Sequence, residues 1–126
     1  MYYSTKIPIS IFPHQVILIY APTLEDCAKI AKQSYDVSIE YSDNCDAVTE
    51  RHGTTTTICL KSKSYLDKPS ILVHETNHAA FNILYTIGAR VSPDTEEFIC
   101  YIQQYIYDEC KKFLDTIPSD EFNKSE

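Results

Sequence analysis

The sequence predicts an α+β domain in which a small mixed sheet of about three strands packs on a central helix and a C-terminal helix. The first half has short β-branched or apolar runs bounded by Pro and Gly, and these indicate strands. The second half has two long stretches with apolar residues at helical spacing. With 126 residues the chain can form one core but not two. Residues 1–117 are therefore predicted to form one domain and residues 118–126 a flexible tail.

The first half alternates strands with one helix. Residues 14–20 are an apolar run between two prolines, which predicts a buried strand. Thr23 is a good N-cap for a helix that continues to about Tyr35 with its apolar residues on one stripe. Residues 37–41 alternate apolar and polar side chains and predict a half-exposed strand. The polar residues 42–53 predict a loop.

A second β-branched stretch, residues 54–61, predicts the next strand. It opens with four consecutive Thr, so a free edge at this strand would be polar rather than adhesive. The simplest interpretation is that Thr-rich segments are good strands with no further role.

Two helices follow. The first begins at about Pro69 and ends near Gly88, and its apolar residues surround it so completely that it is predicted to be buried. The second begins at about Asp94, where Pro and acidic residues favour a helix N-terminus, and it ends near Leu114.

The first of these helices contains a complete H-E-x-x-H motif, with His74 and His78 four positions apart and Glu75 between them. Residues four apart lie on one face of a helix, so both imidazoles point toward one place. Two nitrogen ligands and a neighbouring acid are typical of a zinc site that hydrolyses peptides. A bound metal ion would also reduce the free-energy cost of placing two His and one Glu in an apolar helix.

A catalytic zinc needs a third protein ligand. Glu97 lies 19 positions after His78, in the first turn of the second helix, and a short antiparallel connection could bring it opposite the motif. Glu96 is the alternative if the helical register differs by one residue. A competing interpretation is a capping box in which Asp94 is the N-cap and Glu97 its partner at N3.

These residues resemble the gluzincin branch of the zincin metallopeptidases. More narrowly, they resemble small H-E-x-x-H proteins of phages and prophages, over roughly residues 54–108. The resemblance implies a minimal zincin-like fold with one catalytic Zn²⁺ held by His74, His78 and Glu97. It also implies that Glu75 is the general base in the hydrolysis of a peptide or amide bond.

In zincins, the strand before the active helix is an edge strand that pairs with an extended substrate. By position, the resemblance assigns that role to residues 54–60, with Thr56 and Ile58 on the substrate strand. A side-chain donor for the oxyanion is a further requirement. Tyr101 and Tyr105 are the first candidates, and Tyr85 and His52 are others among which the sequence does not choose.

Two other functions stay open. The zinc site could be a scaffold in a phage-type protein that binds and inhibits a host protein, such as a defence complex, without peptidase activity. The Tyr-rich, acidic composition favours this, since Tyr is enriched at interfaces. A third hypothesis is an enzyme that cuts peptide cross-links of the cell wall.

Composition limits the partners and the compartment. A net charge of -7 argues against binding to nucleic acid or anionic membranes. No apolar run approaches the roughly 20 residues of a membrane span. The five Cys are odd in number and lack C-x-x-C spacing, which favours reduced thiols. We therefore expect a cytoplasmic protein, located in the host cytoplasm if a phage encodes it, that acts on a peptide or protein substrate or on a host protein.

Overall fold

The computed structural model of the protein describes residues 2–10, 12–42 and 44–118. Its elements in chain order are β1 (Tyr3–Ile9), β2 (His14–Ala21), α1 (Leu24–Tyr35), β3 (Ala47–His52), β4 (Thr55–Lys61), α2 (Ser62–Asp67), α3 (Ile71–Thr86) and α4 (Glu96–Asp115). The predicted α+β class with a small mixed sheet is confirmed. Apart from Pro118, the predicted tail lies outside the described residues.

The sheet has four strands in the described chain, in the order β1-β2-β4-β3. The two central strands, β2 and β4, are parallel, and the edge strands β1 and β3 are antiparallel to their neighbours. Leu18 in β2 has Thr5 on one side and Ile58 on the other. Both faces of the central strands are covered, which explains why β2 is apolar almost throughout.

The sheet lies between two helical layers. Helix α1 covers one face, where Ile17, Ile19 and Cys59 pack with Cys27 and Ile30. Helices α2, α3 and α4 cover the other face. That second core contains the following buried residues from the sheet and the helices: Val16, Leu18, Ile58, Leu60, Tyr65, Leu72, Ala79, Ile83, Ile106 and Leu114.

The strand predicted at residues 14–20 is present as β2, and the helix predicted to follow it is α1. Strand β1, which precedes them, was not predicted. Thr23 is the N-cap of α1, and its hydroxyl accepts a 3.0 Å hydrogen bond from the Asp26 backbone N–H. The helix ends at Asp36, which adopts the left-handed conformation with φ 55° and donates its N–H to the last carbonyls. These features depend on neighbouring residues only, so the sequence could indicate them.

The predicted strand at residues 37–41 is absent, because this segment forms no ladder. The alternation itself is real, since Val37 and Ile39 pack into the cluster under α1. The backbone groups, however, are used elsewhere. The N–H of Val37 donates to the Ala31 carbonyl at 3.0 Å, and the N–H of Glu40 donates to the Glu50 carboxylate at 3.1 Å.

The predicted loop at residues 42–53 contains strand β3, which forms a tight hairpin with β4. His52 pairs with Thr55, so the connection has two residues, and Gly53 provides the positive φ of 61° that such a turn requires. Strand β3 is therefore the edge strand. The prediction that residues 54–60 form the edge is wrong, because β4 has β2 on one side and β3 on the other.

Helices α3 and α4 begin close to the predicted positions. Helix α3 starts at Ile71 after a turn at residues 68–70, and α4 starts at Glu96 with Thr95 as its N-cap. The capping box with Asp94 does not form, since the cap position is Thr95 and makes no side-chain cap bond. None of the described helices combines the length and apolar character needed to span a bilayer.

A buried histidine lies at the start of β2. His14 at the start of β2 is only 5% exposed, and its Nε2 lies 2.9 Å from the Thr56 hydroxyl. Its Nδ1 is buried without a hydrogen-bond partner in the described residues. Burial, and secondarily the positive charge of Arg51, lower the pKa of His14 below its usual value of 6.5. The fold therefore favours the neutral imidazole.

Candidate metal centre

Helix α3 brings the two motif histidines together as their spacing predicts. The Nε2 atoms of His74 and His78 are 3.1 Å apart, and the rings meet edge to face at 78°. Two nitrogens bound to one tetrahedral zinc at about 2.0–2.1 Å would be separated by about 3.3 Å. The two nitrogens are therefore spaced to occupy two of the four coordination positions of a tetrahedral zinc ion. The same separation also accommodates an N–H···N hydrogen bond between neutral rings.

The histidines lie on the solvent face of α3, not in a buried helix. The side chain of His74 is 69% exposed, and His78 is also exposed. The core face of this helix is formed instead by Leu72, Thr76 and Ala79. The predicted complete burial of the helix is thus wrong, and so is the inference that these rings need an ion to offset desolvation. Apolar side chains surround α3, but several of them are exposed.

Glu75 is buried, unlike the two histidines of the motif. It is 7% exposed, and its Oε1 accepts a 2.6 Å hydrogen bond from the Thr49 hydroxyl. The same hydroxyl lies 3.4 Å from the Glu75 carbonyl oxygen. The second carboxylate oxygen, Oε2, lies 3.9 Å from Nε2 of His74. One oxygen of Glu75 is therefore tied to the sheet while the other lies near the histidine pair.

Thr49 is a site residue that the sequence interpretation missed, because it lies in the segment predicted as a loop. It is the third residue of β3, and it faces α3 from the edge of the sheet. A signal was present in Ala47-Val48-Thr49, a short β-compatible run four residues before Gly53.

An open cleft of about 720 Å³ borders the motif. Its walls are residues 44–47, the turn that contains Lys68, and the first turn of α3 with His74 and Glu75. Lys68 is exposed and forms no ion pair within the described chain. The cleft also borders the start of β3, whose outer edge pairs with no other described strand. Space and polar groups for a ligand thus lie directly beside the histidine pair.

The structure does not bring the predicted third ligand to this pair. Glu96 and Glu97 are exposed in the first turn of α4. Across the described residues, no three side chains of His, Cys, Asp or Glu are grouped as they would be around a metal ion. Glu97 instead shares a helical face with Tyr101, four positions later. The spacing of residues along the chain did not determine how α4 would be rotated against α3.

The predicted oxyanion donors also lie away from the cleft. Tyr101 and Tyr105 line a separate groove, and the Tyr105 hydroxyl donates to the Pro8 carbonyl at 3.3 Å. Tyr85 stacks on Phe81, and His52 lies 2.9 Å from the Glu50 carboxylate.

Thr56 and Ile58 are not available to an extended substrate. Both are fully buried in β4, and the backbone of this strand is paired with β2 and β3. The prediction for these two residues fails because β4 is a central strand. Strand β3 takes the edge position instead.

Comparisons with protein-family models, with curated proteins and with solved structures find no match to this chain.

Proposed function

We propose that this protein is a zinc-dependent peptidase in which His74 and His78 hold the ion and Glu75 is the general base. One observation carries the proposal: two converging imidazole nitrogens, 3.1 Å apart, lie beside a carboxylate oxygen 3.9 Å from the nearer ring. Two nitrogen ligands flanked by a carboxylate form the core of a hydrolytic zinc site.

The roles of the side chains follow from their positions. A zinc ion supplies a water molecule acidic enough to lose its proton near neutral pH. Glu75 is placed to accept that proton on Oε2, because Thr49 occupies Oε1. The resulting hydroxide would add to the carbonyl carbon of the amide, and as the C–N bond breaks Glu75 would pass the proton to the leaving nitrogen. Thr49 keeps the carboxylate in one orientation throughout.

For the third ligand we retain Glu97, with Glu96 as the alternative. Neither residue is grouped with the histidine pair in the described chain, so this part of the proposal is supported by the motif and not by the geometry. Two protein ligands leave more than one position open. A carboxylate from α4 would complete the set that catalytic zinc sites use.

The cleft supports an extended peptide as the substrate. It lies between the first turn of α3 and the beginning of β3, and the outer edge of β3 is unpaired among the described strands. An extended chain could hydrogen-bond to that edge while its scissile bond lies near His74. This assigns to β3 the role that the sequence interpretation gave to β4.

Two measurements test the proposal. Metal analysis and calorimetric titration of the purified protein should show one zinc ion per chain. Incubation with an unbiased peptide library, analysed by mass spectrometry, should then show cleavage. Glu75→Gln is the matched variant, because the amide oxygen still accepts the Thr49 hydrogen bond while the side chain no longer accepts a proton. This variant should bind zinc normally and cut no peptide.

The outcomes separate the parts of the proposal. Zinc binding without cleavage by the wild-type protein would leave a metal site and remove the peptidase. Cleavage retained in Glu75→Gln would remove the assigned base.

We also propose a location in a reducing compartment, most simply the cytoplasm of the cell that makes the protein. All five cysteines are free thiols, three of them buried. A non-enzymatic role in binding another protein is favoured by a different surface, which contains Tyr101 and Tyr105 and lies outside the cleft.

A further inference from the structure

A second concave surface lies on the exposed side of α4. One wall is formed by Ile9, Ser10 and Phe12, and the other wall comes from α4 with Phe98, Tyr101, Ile102 and Tyr105. The volume is about 290 Å³, and we call this surface the α4 groove. It shares no residue with the cleft beside His74.

Two contacts join the walls of the α4 groove. Phe12 and Phe98 meet edge to face with ring centroids 5.7 Å apart, which joins the two walls. The Tyr105 hydroxyl donates to the Pro8 carbonyl at 3.3 Å and fixes its ring across the gap. A preformed aromatic groove loses little conformational entropy when a ligand enters it.

The aromatic side chains of the α4 groove remain in contact with solvent. Tyr101 is 66% exposed and Tyr105 is 43% exposed. Aromatic rings that present both an apolar face and a hydroxyl are enriched where proteins bind one another. Clustered exposure of this kind is more informative than a single exposed apolar residue.

The rim of the α4 groove is negatively charged. Glu97, Tyr101, Tyr105 and Asp108 follow one another at spacings of four, four and three residues, so they share one face of α4. Residues 91–110 contain five acidic residues and no Lys or Arg. The nearest cation on this face, Lys112, lies four positions after Asp108 and forms a 2.9 Å ion pair with Glu109. Within the described chain, Glu97 and Asp108 are exposed and form no ion pair.

The opposite wall adds no compensating cation. Residues 7–13 carry no charged side chain. An apolar centre flanked by unpaired carboxylates is complementary to an apolar residue flanked by cations. A second copy of this chain is disfavoured as the occupant, because two acidic rims would face each other and the net charge is already -7.

We propose that the α4 groove docks a segment of a partner protein in which an apolar or aromatic side chain lies between Lys or Arg residues. The apolar side chain enters between Phe98 and Tyr105, and the cations lie against Glu97 and Asp108. None of the residues that line the α4 groove borders the histidine cleft, and Glu97 is the one rim residue that is also a proposed zinc ligand. The contact with the apolar side chain therefore requires neither zinc nor peptidase activity.

Three synthetic peptides of equal length test the proposal, each with a central Leu-Phe pair flanked by Lys, by Ser or by Glu. Each is titrated into ¹⁵N-labelled full-length protein and followed by NMR. The Lys-flanked peptide should bind most tightly and should shift the resonances of Tyr101 and Tyr105. Its affinity should fall as salt is added.

Variants locate the site. Tyr101→Ala should weaken binding of the Lys-flanked peptide about tenfold or more, since it removes a central aromatic contact. Asp108→Lys should weaken it about threefold, as expected for an exposed charge, and Asp108 is not one of the proposed zinc ligands. Tyr85→Ala is the matched control, because Tyr85 is 58% exposed on α3 and is not part of the α4 groove. The Tyr85→Ala variant should bind the Lys-flanked peptide with the affinity of the wild type.

Three results would overturn the proposal. Equal affinity for the Lys-flanked and Ser-flanked peptides would remove the role of the rim. Resonance shifts centred on His74 would place the peptide in the other cleft. Concentration-dependent dimerisation of the wild type that Tyr101→Ala abolishes would assign the α4 groove to a second copy.

Discussion

The hydroxyl of Thr49 donates a 2.6 Å hydrogen bond to the carboxylate of Glu75, and this bond ties the edge strand of the sheet to the motif helix. Glu75 is 7% exposed, so its charge depends on donors from the protein rather than on bulk water. The orientation of the acid is therefore determined by a strand that lies more than twenty residues earlier in the chain.

Thr49→Val is expected to destabilise the protein by about 1–3 kcal/mol, because it leaves a buried carboxylate oxygen without its donor. Thr49→Ser is the matched control, since it keeps the hydroxyl and its free energy of unfolding should fall much less. Urea denaturation at pH 7 measures both free energies of unfolding. Equal stability of the two variants would show that this hydrogen bond contributes nothing measurable.

Zinc is expected to raise the melting temperature of the wild-type protein, because a ligand that binds only the native state stabilises it. At a zinc concentration about 100 times the Kd, the gain is about 2.7 kcal/mol. His74→Ala and His78→Ala should each abolish the shift. His52→Ala provides the control, since His52 lies beside Glu50 and away from the pair. A wild-type melting temperature that zinc leaves unchanged would contradict the proposed metal centre.

The third ligand is tested by replacing each acid of the first turn of α4. We expect Glu97→Gln to weaken zinc binding about tenfold, because it removes one charged ligand or a group that orients one. Glu96→Gln should bind as the wild type does. Titration calorimetry at constant pH compares the three proteins. Identical affinities would mean that neither carboxylate contributes and that the histidines are the only ligands among these residues.

The buried His14 predicts a loss of stability in mild acid. Its pKa is lowered in the fold, so the unfolded chain takes up a proton near pH 6.5 while the native chain does not. The contribution of His14 to the free energy of unfolding is thus fully present above about pH 6.5 and decreases as the pH falls below that value. The slope is at most about 1.4 kcal/mol per pH unit.

A variant isolates this contribution from the effects of the carboxylates. His14→Asn removes the titrating ring, so its stability should depend less on pH between 7 and 5 than the wild-type stability does. The difference in the free energy of unfolding between the wild type and His14→Asn should decrease as the pH falls. Parallel curves would show that His14 has the same proton affinity in the folded and unfolded chains.

Local features of the fold were the ones that sequence could predict. The convergence of His74 and His78 follows from helical geometry alone, and the cap at Thr23 involves residues three positions apart. Strand β2 was recognisable because both of its faces are covered, so its residues are apolar throughout. Each of these features is determined within a few residues.

Features that depend on contacts across the chain were missed. Strand β3 is at an edge and its side chains are largely polar, so residues 42–53 have the composition of a loop. Whether Glu97 reaches the histidines depends on how α4 rotates against α3, and this is determined by packing around residues such as Ile99 and Ile106. Sequence spacing contains no information on that rotation.

The two-residue turn at Gly53 fixes the register in which Thr49 lies opposite Ile58 and beneath Glu75. Side chains alternate between the two faces of a strand, so the loss of one residue between this turn and Thr49 would move Thr49 to the far side of the sheet. A neighbouring position, Val48 in that case, would then face the acid and could donate no hydrogen bond. The number of residues between this turn and Thr49 is therefore as strict a requirement for the site as the H-E-x-x-H spacing itself.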